Sequence, residues 1–380
     1  MKKGQKLPDL SLIMLGAGNS TRFNCSCKKQ WLRFGSTPLW LYAAKNITDE
    51  LNFDKIILTC SQDELEYMKR FDDSFCFIKG GKTRQESLQN ALKLVNTPFV
   101  LVSDVARVCI DTDMLKRVVN AKNMGDIVVP YLSVSDTVVY KNETISREDV
   151  KLIQTPQLSK TKILKEALST DIDYTDDSSA IKAKGGIVTY VPGDKGAKKL
   201  TFWEDLKELD CKIEPSHDIF VGNGFDVHEF TDDKPMMLGG IKIQETPGFK
   251  AHSDGDVAIH ALIDSLLGAI GAGDIGELFP DSSDEFKDID SKELLKKVYR
   301  FVTSVGFEIV NCDITIMAQT PKLKNFKSKM SKTLAQILHV EPIFINIKAT
   351  TTEKLGFIGR SEGVAVSATS TLKYFDWTKK

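Results

Sequence analysis

The sequence predicts two domains of different class: an α/β N-terminal domain on a mostly parallel sheet, and an α+β C-terminal domain. Three observations predict this. At 380 residues the chain is too long for one typical domain and favours two. Short apolar runs alternate with helical patterns through the first half, as in a parallel sheet with helices on both faces. In the second half, strand patterns outnumber and bracket the helical ones. Hydrophobic residues make up 42% and charged residues 27%, so each half can bury an ordinary core.

The elements follow in order. "LSLIML" (10–15) is an apolar run ending in a glycine turn, and "KIILTC" (55–60), "FVLVSD" (99–104), "DIVVPY" (126–131) and "GIVTYVPG" (186–193) are similar strands. Between them "RQESLQNALKLV" (84–95) and "TDMLKRVVNAK" (112–122) read as helices. "FWEDLKELD" (202–210) reads as a closing helix. "CKIEPSHD" is polar, carries Pro215 and loses the periodicity. The expected division is therefore 1–210, a linker at 211–218, and 219–380. The second domain opens with the strand "IFVGNGFDVHEF", followed by a helix over about 254–270, a charged segment and a helix near 291–305. Strands at 311–319, 343–351 and 363–375 complete it.

Net charge is −1, so there is no basic field to hold nucleic acid or an anionic membrane. The run "LSLIML" is too short for a signal segment, and no apolar stretch reaches the roughly 18 residues of a membrane helix. The seven cysteines are odd in number and scattered, which points to a reducing compartment, the cytoplasm. Cys25 and Cys27 have the wrong spacing for a redox pair and read as loop residues.

In the first half, "AGNSTRF" (17–23) follows the first strand, where an open α/β sheet binds its ligands. Gly18 lets backbone N–H groups approach a phosphate, and Arg22 and Lys29 supply the cations that phosphoryl or nucleotidyl transfer requires. "GGKTRQES" (80–87) is a second glycine turn, with Ser87 available to a base or ribose. "LVSDVAR" (101–107) sets Asp104 at a strand end, a Mg²⁺ ligand or a salt-bridge partner, with Arg107 three residues on. The loop is neither a Walker A motif nor GxGxxG, and alone is a common turn.

These motifs, with "SDT" (135–137), "TPQ" (155–157), "TDDSSA" (175–180) and "KLTFWEDL" (199–206), resemble in order the 2-C-methyl-D-erythritol 4-phosphate cytidylyltransferases over about residues 8–209. The resemblance implies a Rossmann-like nucleotidyltransferase fold. It implies that Arg22 and Lys29 stabilise the transition state on CTP and that Lys199 binds a phosphate. Ala17, Gly18, Gly81 and Ser87 would hold cytidine and triphosphate, and Asp104 would bind Mg²⁺. Arg107 and Thr137 would bind substrate, and Arg147 would reach the methylerythritol phosphate of a partner subunit. Val105 and Val108 stand where the family usually has Ala and Pro, and Gly16 and Ser20 where Ala and Gly are commoner. Altered packing or affinity is expected from these departures, not lost chemistry.

In the second half, Asp226 and His228 of "GFDVHEF" (224–230) lie two apart on a strand and share a face. Asp256 and His260 share a helical face, with Asp264 one step on. Asp226, His228 and His260 would make a three-ligand Zn²⁺ site with an open position, and Asp256 is suited to orient a histidine. On spacing alone, hydrogen-bonded core histidines are an equally good reading. His252 and Ser253 precede the helix and suit a phosphate. "GAGDIGELFPD" (271–281), "AQTPKL" (318–323) and "KATTTEKLGFIGR" (348–360) add a glycine loop, hydroxyls, lysines and Arg360.

This half resembles the 2-C-methyl-D-erythritol 2,4-cyclodiphosphate synthases over about residues 219–375, with a more specific match than the first. The resemblance implies Zn²⁺ on Asp226, His228 and His260, and a second divalent ion on Glu353. His252, Ser253, Thr350, Thr351 and Arg360 would lie along the phosphates, with Phe357 also in the substrate-binding set. Asp264, Asp274 and Gly276 would lie at the methylerythritol; Ala318, Pro321, Lys322, Leu323 and Ala349 would form the cytidine pocket. Together the two resemblances imply a bifunctional enzyme of the non-mevalonate isoprenoid pathway. Its substrates are CTP and methylerythritol phosphates, and its cofactors Zn²⁺ in the C-terminal site and Mg²⁺ or Mn²⁺ in both. Expected assemblies are a homotrimer through the C-terminal domain and a hexamer through N-terminal dimer contacts. A separate pathway kinase would have to act between the two sites, and association with it is left open. Two rivals stay open: a sugar-phosphate nucleotidyltransferase fused to a Zn²⁺ phosphoesterase, and a non-catalytic scaffold.

Overall fold

In the computed structural model, the described residues are 9–170, 172–251, 253–279 and 289–379. The chain divides into two units, Met1–Glu214 and Pro215–Lys380.

The first unit is built on a mostly parallel sheet. Its strands run in the order Cys76–Lys79, Ile56–Cys60, Leu10–Leu15, Phe99–Asp104, Gln157–Lys160 and Ile127–Ser133. Val188–Pro192 and Lys151–Ile153 both pair with Ile127–Ser133, the first in parallel and the second antiparallel. Leu10–Leu15 is buried along its whole length because it has a parallel neighbour on each side, so it reads as a continuous apolar run without alternation. The chain leaves this strand toward Ile56–Cys60 and Cys76–Lys79, then returns to its other side at Phe99–Asp104. The strand order thus reverses at Leu10–Leu15, where a doubly wound sheet opens a crevice at its carboxyl edge. Helix starts are capped as their sequences allow: Thr83 accepts from Glu86 N at 3.1 Å, and Asp176 accepts from Ser179 N at 3.1 Å.

Two expectations are corrected here. Residues 202–210 do not form an α-helix; a 3₁₀ turn spans Trp203–Glu208, because Asp205 folds back to accept from Thr201 N and Phe202 N at 2.7 and 2.8 Å. The cysteines are not all free: Cys109 and Cys211, 102 residues apart, form a disulfide with a Cα–Cα distance of 5.5 Å. No sequence spacing signals that pair.

The second unit is a five-stranded sheet in the order Gly248–Phe249, Ile219–Thr231, Gly363–Tyr374, Phe307–Met317, Ile345–Thr350. Only the last pair is parallel. Helix Val257–Ile270 packs across Ile219–Thr231 and Gly363–Tyr374, and helix Ser291–Ser304 packs on that helix. Gly222 and Gly224 allow this approach: a Cβ there would lie 2.1 Å from Ser265 O and 2.0 Å from Ala261 O. On the strand's other face Ile219, Val221, Phe225 and Val227 are exposed.

Candidate active sites

The N-terminal cleft, about 440 Å³, opens at the carboxyl ends of Leu10–Leu15 and Phe99–Asp104. Ala17, Gly18 and Arg22 line it from the first loop, and Gly81 and Ser87 from the second. Lys29, Asp104 and Lys199 complete the set. The first loop is held from beneath: Gln30 Nε2 donates to Gly18 O at 3.3 Å, and Ser20 Oγ donates to Gln30 Oε1 at 3.0 Å and accepts from Lys29 N at 3.3 Å. Ser20 does this with φ 55°, in the left-handed region that favours glycine. Buried Glu64 pairs with Lys28 at 2.7 Å under the same loop. In the second loop Ser87 Oγ accepts from Gly81 N and donates to Thr83 O, both at 2.9 Å, so its hydroxyl shapes the turn.

The cations of the cleft are arranged around one carboxylate. Asp104 meets Lys199 Nζ at 2.9 Å and Arg84 Nε at 3.6 Å, while Arg84 is anchored to buried Asp177 at 2.8 Å. Burial alone would raise the Asp104 pKa, but Lys199, Arg84 and Arg107 outweigh it and hold the group at about 2. Lys29 donates to Leu200 O at 3.0 Å. Burial and the nearby Lys199 and Arg22 charges bring its pKa down to about 8 against the opposing pull of Asp104.

Asp104 was expected to take Mg²⁺. In this structure its carboxylate is engaged by Lys199 and Arg84, with Arg107 nearby. Arg107 is buried beside the cleft and donates to Thr155 Oγ1, Ala197 O and Ile153 O at 2.9, 2.6 and 3.4 Å. Thr137 and Arg147 are exposed and do not line the cleft; Arg147 donates to Ser135 O at 2.7 Å. Arg84, Gln30 and Glu64 are the members that reading the sequence missed. A charge at a helix start and polar residues in amphipathic patterns give no signal by themselves.

In the C-terminal unit the structure brings Asp226, His228 and His260 together, their ligand atoms all within 4.8 Å of one another. Asp226 Oδ2 lies 3.2 Å from both His228 Nε2 and His260 Nδ1. His228 Nδ1 faces the Gly255 carbonyl at 2.9 Å; a carbonyl only accepts, so Nδ1 carries a hydrogen and Nε2 is the ring nitrogen turned to Asp226. Burial would raise the Asp226 pKa, but the two histidines outweigh it and hold it below the usual carboxylate range. Burial lowers the His228 pKa while Asp226 raises it, with a net rise. One carboxylate and two imidazoles converging at these distances form a donor set suited to a divalent metal.

Asp256 does not orient a histidine, as was expected. It is fully buried, caps helix Val257–Ile270 by accepting from Ile259 N at 3.1 Å, and accepts from Gly239 N and Gly240 N at 2.8 and 2.6 Å. Asp264 accepts from Ile275 N at 2.8 Å, which brings it to the loop carrying Asp274 and Gly276; Asp274 accepts from Glu277 N at 2.9 Å. Ser253 is buried, and His252 lies outside the described residues.

Ala349 and Thr350 pair with the end of Phe307–Met317, and Ala318 N donates to Thr350 O at 2.9 Å; Pro321, Lys322 and Leu323 follow in the next loop. In the next loop Thr351 Oγ1 donates to Glu353 Oε1 at 3.0 Å. Glu353, with φ 51°, is exposed and stands apart from the triad's cluster among the described residues. Exposed Phe357 follows it, and Arg360 grips Glu362 through two bonds of 2.8 and 3.1 Å.

Fold and sites define a class: a nucleotidyltransferase-type unit with a cation-lined crevice, joined to an α+β unit carrying a metal-ready triad. Residues 10–214 match the family model for 2-C-methyl-D-erythritol 4-phosphate cytidylyltransferase, and residues 219–373 match the YgbB family. The bifunctional enzyme IspD/IspF of Aliarcobacter butzleri is 55% identical over 98% of this chain and 100% of its own length. That of Campylobacter fetus is 56% identical over 97% of this chain and 98% of its own. The structure of the bifunctional IspDF from Campylobacter jejuni, 54% identical, aligns with a TM-score of 0.87 over 97% of this chain and 100% of that one. The chain belongs to the family of bifunctional IspD/IspF enzymes. Among the described residues, no helix is long and apolar enough to cross a membrane.

Proposed function

We propose that the chain carries out two steps of non-mevalonate isoprenoid precursor synthesis, with the following residues in each. In the N-terminal unit the phosphate of 2-C-methyl-D-erythritol 4-phosphate attacks the α-phosphorus of CTP, forming 4-diphosphocytidyl-2-C-methyl-D-erythritol and releasing pyrophosphate. Charge accumulates on the α-phosphorus oxygens, and Arg22, Lys29 and Lys199 face the cleft where it does so. Asp104 holds Lys199 and Arg84 in place. Ala17, Gly18, Gly81 and Ser87 cradle the nucleotide, and any Mg²⁺ or Mn²⁺ arrives on its triphosphate. Arg107 supports the cleft wall, Thr137 binds substrate, and Arg147 reaches the methylerythritol phosphate of a partner subunit.

In the C-terminal unit, 4-diphosphocytidyl-2-C-methyl-D-erythritol 2-phosphate closes on itself. Its 2-phosphate attacks the β-phosphorus and CMP leaves, giving 2-C-methyl-D-erythritol 2,4-cyclodiphosphate. Asp226, His228 and His260 would hold Zn²⁺, which supplies Lewis-acid polarisation of the diphosphate. Glu353 would hold the second divalent ion. Ser253, Thr350, Thr351 and Arg360 flank the phosphates with His252. Asp264, Asp274 and Gly276 receive the methylerythritol, and the group at Ala318–Leu323 and Ala349, with Phe357, receives the cytidine.

The single observation that carries this reading is that one chain holds both a cation-lined crevice at a sheet's switch point and a three-acceptor triad. The exposed stripe Ile219, Val221, Phe225 and Val227 supports self-association, which we assign to a homotrimer and, through N-terminal contacts, a hexamer. The scattered free cysteines favour a cytoplasmic location, with Cys109–Cys211 pulling the other way. The test is substrate competition: CTP against other nucleotides, and methylerythritol phosphate against sugar phosphates. A preference for a sugar phosphate would replace this reading by its nearest rival.

A further inference from the structure

His260 needs something to hold its ring so that Nδ1 faces Asp226. The opposite ring nitrogen, Nε2, lies 3.1 Å from Ser291 Oγ and 3.3 Å from Ser253 Oγ. Ser291 is the first residue of helix Ser291–Ser304 and is fully buried. Its hydroxyl also lies 2.5 Å from Asp254 Oδ1. A serine hydroxyl carries one hydrogen and a carboxylate accepts. That hydrogen therefore sits on the bond to Asp254, and Ser291 Oγ is left to accept from His260 Nε2–H. In the neutral imidazole that metal ligation requires, Nε2 therefore carries the hydrogen and Nδ1, on the Asp226 side, keeps the lone pair. Ser253 Oγ is a second, longer acceptor that itself accepts from Gly255 N at 3.1 Å. Asp254 is fixed in turn, since its N–H donates to Ile289 O at 3.2 Å and its Oδ1 accepts from Asp256 N at 3.3 Å.

We propose that Ser291 and Asp254 are positioning residues for the metal site, setting the tautomer and ring orientation of His260. The proposal rests on the triad holding a divalent ion. Through it a helix that contributes no ligand is coupled to the site. A ligating histidine whose far nitrogen loses its partner typically drops metal affinity by about 10- to 100-fold.

The experiment is chelator competition for Zn²⁺ on the full-length chain, comparing wild type, Ser291→Ala, Ser291→Thr, Asp254→Asn and, as reference, His228→Ala. The visible spectrum of the Co²⁺-loaded protein is recorded alongside. Expected are a loss of Zn²⁺ affinity of about 10- to 100-fold in Ser291→Ala and Asp254→Asn, a shifted Co²⁺ spectrum, and recovery in Ser291→Thr, which keeps the hydroxyl. Thermal melting and CTP turnover should stay at wild-type level in Ser291→Thr, separating a local effect from a failed fold. Wild-type affinity and an unshifted spectrum in Ser291→Ala and Asp254→Asn would overturn the proposal alone. Zn²⁺ binding by His228→Ala equal to wild type would overturn the metal reading and the proposal with it.

Discussion

Lys29 is a cation placed where cations repel it. Burial and the charges of Lys199 and Arg22 bring its pKa down to about 8. It is charged below that value and neutral above it, so kcat/KM for CTP should fall as pH rises through about 8. Cyclisation on the same chain should not follow that limb, and a CTP profile flat through the same range counts against the role given to Lys29. Lys29→Ala should lower cytidylyl transfer by about 10²–10³-fold, the typical loss of one charge-stabilising group, with cyclisation unchanged. This residue was legible from its seven-residue spacing to Arg22. Arg84 was not, because its partners Asp104 and Asp177 lie 20 and 93 residues away and only the folded sheet brings them together. Asp256 was misread for a related reason. Its spacing to His260 puts both on one helical face, but a helix's first turn leaves N–H groups open, and a carboxylate at the cap answers those before it answers a side chain.

The helix Val257–Ile270 depends on two such local decisions. Asp256→Ala would remove its cap, at about 0.5–2 kcal/mol, and leave the Gly239 and Gly240 N–H groups without an acceptor, at about 1–3 kcal/mol each. Calorimetry should show the C-terminal unit melting earlier, with Asp256→Asn milder because the amide oxygen still accepts. Gly224→Ala would drive a Cβ to within 2.0 Å of Ala261 O, a backbone atom that cannot swing away. The expected cost is about 1–3 kcal/mol. Undiminished stability in Gly224→Ala would mean that strand and helix are not packed as described. Most strands were readable as short apolar runs, such as Leu10–Leu15 and the opening of Ile219–Thr231. The strands Lys151–Ile153 and Gln157–Lys160 were not, being three and four residues long and polar in part.

On the scale of the whole molecule, the described residues present two candidate sites of different chemistry and an exposed apolar stripe on Ile219–Thr231. Ile219, Val221, Phe225 and Val227 are 57, 63, 58 and 39% exposed on one face of one strand, with exposed Asn223 among them, an apolar stripe of the kind that marks interaction sites. Phe225→Lys should therefore reduce the assembly seen by sedimentation and lower cyclisation with it, while CTP turnover persists. An unchanged mass would remove that face from the assembly. The proposal with most at stake is that the C-terminal unit works through a metal held by Asp226, His228 and His260, independently of cytidylyl transfer in the N-terminal unit. Its most direct test is metal analysis of the purified chain and of His228→Ala, with both activities measured on the same preparations. Expected are bound Zn²⁺ and cyclisation in the wild type, loss of both in His228→Ala, and equal CTP turnover in the two. Full cyclisation by a chain that holds no divalent ion would contradict it.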